Sequence, residues 1–135
     1  MAPDELLARV AVTLRRDIGP AVGEPYPKTQ AFMAAVVLEK LAGQLRLAAE
    51  HAEAEQRNRA ALVADLAALV EPGDPPAVQA AVEALAAEPG PAPVCRLIEA
   101  LYAANDLPAE RFELLLGRVR AASRARLDRQ LAYAA

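Results

Sequence analysis

Alanine supplies 34 of the 135 residues of this chain and leucine another 19. An excess of this kind narrows the choice of backbone before any pattern is read. Alanine and leucine head the helix-propensity ranking. The β-branched and aromatic residues that suit a pleated sheet are scarce apart from valine, with two Phe, three Tyr and no Trp. The expected fold is all-α, an irregular antiparallel helical bundle of five to six helices with thin layers between them. A β-sandwich or a doubly wound α/β fold is close to excluded. The length suits a single helical domain over residues 1–135 and is too small for separate cofactor and substrate domains. So thin a core also suggests little room for an interior pocket.

Apolar spacing and Pro/Gly punctuation divide the chain. Leu7, Val10, Leu14 and Ile18 recur at helical intervals, which predicts a first helix over about residues 4–18 with Asp4 as its N-cap and Gly19-Pro20 as its end. Residues 19–27 hold two Gly and three Pro and read as an irregular connection. Thr29 is then the expected cap of a long second helix whose Phe32, Val36, Val37, Leu41, Leu45 and Ala48 trace one face. Gly43 lies inside that helix and suggests a close helix–helix contact. Residues 50–59 lack large apolar side chains, so either the helix continues there through solvent or, the reading favoured, it turns before Leu62, Leu66, Leu69 and Val70 resume the stripe. Further helices are predicted over residues 77–87, from Val94 to Tyr102, and from Pro108 onward.

Charge is uneven along the chain. Residues 71–110 carry one basic and seven acidic side chains, and residues 111–135 carry six basic and two acidic ones, within a net charge of −3. The chain has no overall basic footprint with readout groups, so nucleic acid is a poor partner. No apolar run approaches the roughly 18 residues of a membrane span. The single Cys95 cannot form an internal disulfide and no secretory leader opens the sequence, so a cytoplasmic protein is expected.

The inventory for chemistry is short. His51 is the only histidine and Ser123 the only serine. Neither a phosphate-binding glycine loop nor a nucleophile elbow is present. One His and one Cys supply few of the three or four ligands a metal needs, so His51 reads as a solvated side chain and no metal or cofactor is expected. Two surface features remain. In the first, Tyr26, Lys28, Thr29 and Gln30 are delivered to the start of the long helix. Backbone donors and the helix dipole there suit an anion, and the plain alternative is a packed connection covered by Tyr26. The second is the arginine-rich last helix, with Arg118, Arg120 and Arg124. It is suited to an acidic partner or to phosphates, unless it is an ordinary solvated face in which Arg124 and Asp128 pair.

Three segments carry a resemblance. The opening Leu6-Leu7-Ala8-Arg9-Val10 with Leu14-Arg15-Arg16-Asp17-Ile18-Gly19-Pro20-Ala21-Val22, the segment Gln30-Ala31-Phe32-Met33-Ala34-Ala35-Val36-Val37-Leu38-Glu39-Lys40-Leu41, and the closing Phe112-Glu113-Leu114-Leu115-Leu116-Gly117-Arg118-Val119-Arg120-Ala121-Ala122-Ser123-Arg124-Ala125-Arg126-Leu127 together resemble a family of small bacterial helical proteins. These are encoded beside, or fused to, phosphotransferases of the aminoglycoside-kinase-like fold. One member is similar to the accessory subunit needed by a kinase that phosphorylates 4-hydroxyacyl-CoA in levulinate catabolism. The resemblance implies a non-catalytic partner subunit of such a kinase, and it transfers no catalytic residues. From the residues alone, the other expectation is a self-associating helical scaffold. Its motive is the small side chains Ala31, Ala34, Ala35, Ala42 and Gly43, which would permit close approach between copies.

Overall fold

The structure, a computed structural model, describes residues 1–134, and no strand occurs among them. The all-α expectation holds. The elements are α1 (Pro3–Thr13), a π-helical turn (Leu14–Ile18), the single turn α2 (Gly19–Ala21), α3 (Pro25–Leu69), α4 (Pro76–Ala87), α5 (Ala92–Ala103) and α6 (Ala109–Ala134). Packing groups them into two compact units. The first holds Met1–Glu53 and the chain end from Arg129 on, and the second holds Ala54–Asp128.

The helix boundaries differ from the sequence expectation where proline is concerned. Asp4 does not cap α1. Ala2 takes the cap position with Pro3 as the first helical residue, and Asp4 and Glu5 lie in the first turn, where the helix dipole favours a negative charge. Nor does Gly19-Pro20 end the helix, because the chain widens into the π turn just before it. The Gly19 N–H donates to the carbonyl of Leu14, five residues back. That wider turn makes room for a proline ring that would otherwise strike the preceding turn. The irregular connection expected over 19–27 shrinks to residues 22–24. Pro25 and Pro27 instead open α3, whose first N–H groups have no intrahelical partner in any case. Thr29 is therefore already inside the helix, and its Oγ1 donates to the Pro25 carbonyl at 3.0 Å.

Residues 50–59 do not turn. They contain neither Gly nor Pro and are rich in Glu, Ala, Gln and Arg, so helix propensity carries α3 through them to a length of 45 residues.

In the first unit α1 runs antiparallel to α3. Asp4 pairs with Arg46 and Arg15 with Glu39, at 3.6 and 3.1 Å. The fully buried side chains here are small: Ala11, Ala35 and Ala42. The expected apolar face of the second helix is not the buried one, since Val36, Val37, Leu41 and Leu45 are all exposed. Val10 and Ile18 are exposed as well. The second unit is built differently. Leu62 and Leu66 of α3, Val78, Val82 and Leu85 of α4, Leu97 and Leu101 of α5, and Leu115, Leu116 and Val119 of α6 form one continuous core.

The two helical glycines of the first unit can be told apart. A Cβ on buried Gly19 would lie 2.9 Å from the Leu14 carbonyl oxygen and 3.0 Å from the Phe32 ring, whereas a Cβ on Gly43 would meet nothing within 4 Å. Gly43 is thus not the site of a close helix contact. Gly19→Ala is expected to lower stability by about 1–3 kcal/mol through overpacking. Gly43→Ala should raise it by up to about 1 kcal/mol through helix propensity. Urea denaturation of both variants checks the contrast, and equal effects would contradict it.

Candidate interaction surfaces

The residues singled out in the sequence fall into two separate groups. Tyr26, Lys28, Thr29 and Gln30 occupy the opening turns of α3 in the first unit, all exposed, with Tyr26 at 74%. Tyr26 therefore covers nothing. Arg118, Arg120 and Arg124 lie on α6 in the second unit. The Arg118 Nε donates to Asp65 at 2.7 Å, so this residue joins α6 to α3. Arg120 donates to the Tyr102 hydroxyl at 3.2 Å, and Arg124 pairs with Asp128 at 3.3 Å one turn along the same helix. Exposed pairs of that kind are worth little in water. Arg120 and Arg124 share a face of α6, and Arg118 does not belong to it.

Arg111, which belongs to the basic run, does structural work. Its guanidinium donates to both carboxylate oxygens of buried Asp74, at 3.2 and 2.6 Å, and to the Leu69 carbonyl at 2.7 Å. Asp74 in turn accepts the Glu71 N–H at 2.8 Å. One ion pair thus satisfies the end of α3, the turn before α4 and the start of α6. The Arg111 hydrogen bond, helped by the Glu71 N–H, holds the Asp74 carboxyl below its ordinary pKa against the opposing effect of burial.

Between the end of α4, the start of α5, α3 and α6, the second unit opens a groove of about 700 Å³. Leu62, Val63, Leu85, Val94 and Ile98 make its apolar floor, and Asn58, Cys95, Ser123 and Arg126 stand at its rim. Its walls include Ala60, Ala86 and Gly90, whose small side chains leave the volume unfilled. The groove is open to solvent, a surface feature distinct from the interior pocket for which a thin core was expected to leave little room. Small residues at one end of a well-packed core produce an open groove. Arg59 steadies one wall by donating to the carbonyls of Leu85, Glu88 and Gly90, at 3.2, 2.6 and 2.7 Å. These carbonyls lie at the end of α4 and in the turn after it, where the helix itself supplies no partner. Arg126 pairs with Glu55 at 3.2 Å.

His51 is not a solvated side chain. It is half-buried and stacks on Tyr133 with ring centroids 4.3 Å apart. Among the described residues no three His, Cys, Asp or Glu side chains gather as a metal site would require, and no helix is long and apolar enough to cross a membrane. No family model, curated protein or solved structure matches the chain. Sequence reasoning missed the groove and the Asp74–Arg111 pair. Asp74 sits in a Pro/Gly-rich turn whose only local signal was punctuation.

Linkage fixes the sign of one pH effect. Asp74 binds its proton more weakly in the folded chain than in the unfolded one. The stability it contributes is complete above its unfolded pKa and is lost as pH falls through the lower folded value. Asp74→Asn is expected to lower the melting temperature at neutral pH and to flatten the loss of stability on acidification. Thermal melts of both proteins from neutral to acidic pH test this, and parallel profiles would show that Asp74 is not the titrating group.

Proposed function

We propose that this chain is a non-catalytic, cytoplasmic partner subunit that docks on a kinase of the aminoglycoside-phosphotransferase-like fold. The kinase's substrate would be a hydroxyacyl-CoA or a related small molecule. The observation that carries the docking part is the surface of the second unit. There α6 contributes Ala122, Ser123 and Arg126 to an open apolar groove and carries Arg120 and Arg124 on another of its faces. Their present partners are weak and exposed, so a carboxylate-bearing partner surface would gain by replacing them. The apolar groove and the cationic face of α6 together fit a protein surface that offers both an apolar ridge and acidic side chains. The kinase itself is suggested by the sequence resemblance of residues 6–22, 30–41 and 112–127.

Co-expression with an aminoglycoside-phosphotransferase-like kinase from the same genome tests both parts. One shared peak on size exclusion, with kinase activity that depends on the subunit, is expected. The Arg120→Glu, Arg124→Glu double variant should weaken the complex by roughly tenfold or more, with most of the loss relieved at high salt. Separate peaks and unchanged kinase activity would overturn the kinase assignment. A complex that tolerates the charge reversal would remove α6 from the interface.

A further inference from the structure

The first unit has a surface that the proposed kinase contact does not use. Large apolar side chains there face solvent while alanines are buried. Leu6 and Val10 of α1 and Met33, Val37, Leu41 and Leu45 of α3 are each between 42% and 55% exposed, and Tyr26 adds its ring at the end of the α3 row.

The ion pairs of the unit show that these residues belong to one face. On α1, at 3.6 residues per turn, Asp4 lies to one side of Ala11 and Val10 and Leu6 lie to the other, and Arg15 follows in the π turn. Glu39 and Arg46 likewise lie to one side of Ala35 and Ala42, and Leu45, Leu41 and Val37 lie to the other. Asp4 meets Arg46 and Arg15 meets Glu39, so the charged sides of the two antiparallel helices coincide. Their apolar sides must then coincide as well. From residue 26 to residue 48 the charged side chains Lys28, Glu39 and Arg46 of α3 lie toward the alanine side, and Lys40 stands at the margin of the apolar side beside Met33.

We infer that this face binds a second copy of the chain, two α1–α3 pairs packing face to face about a twofold axis. Three observations select that occupant. Val37, Leu41 and Leu45, with Val10 of α1, form the uncharged middle of the face and Lys40 stands only at its margin, so the middle has nothing with which to choose a charged partner and does not repel its own copy. Half-exposed side chains of this size offer on the order of 100 Å² apiece, so the six with Tyr26 present roughly 700 Å². That is close to the ~800 Å² per partner of a standard protein interface. The unit also lacks a large-residue core of its own, and a second copy would supply one. An antiparallel helix pair with one apolar side is half of a four-helix bundle, and a twofold arrangement requires the self-complementary surface seen here. The small residues Ala35 and Ala42, first read as the self-association contact, are already buried within the unit.

Light scattering on the purified chain alone tests this without reference to the kinase. At tens of micromolar the mass should be that of two chains. The Val37→Glu, Leu45→Glu variant should be monomeric with unchanged helical content, its self-affinity lowered roughly a hundredfold or more by burying charge. Leu114→Glu, on an exposed side chain of α6 in the second unit, should leave the dimer intact. Amide exchange of the unmodified chain needs no variant, and protection in α1 and in residues 26–48 should rise with concentration. A monomer up to about 200 µM, a mass other than two chains, or a double variant that still dimerises overturns the inference, as does exchange that ignores concentration. Failure to bind the kinase leaves it untouched.

Discussion

The rest of the structure depends on how a small supply of large apolar side chains is distributed. A chain one quarter alanine has few Leu, Ile, Val, Met and Phe with which to exclude water from between its helices. In residues 54–128 they converge on one core, with Leu66, Leu97, Leu101 and Leu115 fully buried. In residues 1–53 they do not. Ala11, Ala35 and Ala42 close the contact between α1 and α3, and side chains of comparable size to those of the second core face outward. Burial of a leucine is worth about 1.5–3 kcal/mol, and burial of an alanine far less. The two units therefore owe their stability to different sources. The first leans on helix propensity, on the fit of Phe32 against Gly19 and on surface ion pairs.

How much of this was legible in the sequence follows from which physics each residue reports. Helix as the only regular structure could be read directly, because propensity is a sum over many residues and alanine dominates it. The ends of α4, α5 and α6 were also readable, since Pro76, Pro93 and Pro108 stand where a helix tolerates proline. The same residue misled at Pro20 and Pro25. Whether a proline stops a helix, opens one or is absorbed by a widened turn depends on the N–H and carbonyl groups around it, and the sequence does not state these. Residues 50–59 misled for a related reason. Absence of apolar residues was read as absence of helix, yet Glu, Ala, Gln and Arg favour helix whether or not anything covers them.

Of the residues singled out by charge and position, Tyr26 through Gln30 are exposed and Arg120 and Arg124 have exposed partners, whereas Arg118 fastens α6 to Asp65. Charge counting cannot separate a docking arginine from a tying one, because the difference lies in a partner 53 residues away. Arg111 is the extreme case. By composition it is one more cation of the last helix. By position it completes a pair with Asp74 and so closes the turn on which α3, α4 and α6 converge. Removing either member of such a pair leaves a buried polar group without its partner, which costs more than the pair gains over an apolar replacement.

The apolar pattern of α3 was read as a core stripe, and its period was sound. A 3.6-residue period shows only that one side of a helix is apolar, and it is silent on what covers that side. In the second unit the cover is the same chain. In the first, α1 covers the alanine side of α3 and the end of α6, whose Tyr133 stacks on His51, lies along another. The remaining apolar side is then a property of the surface, and water must be excluded from it by association or not at all. Mass action follows if a second copy provides the cover, since anything that binds only the folded state stabilises it, by an amount that grows with the logarithm of its concentration above Kd. The firmness of residues 1–53 then depends on how many copies are present. Residues 54–128, which bury their own leucines, keep the groove and the Arg120–Arg124 face in place at any concentration. A helical protein built mainly of alanine can in this way divide its two tasks, holding one surface rigid by its own core and completing another through a partner.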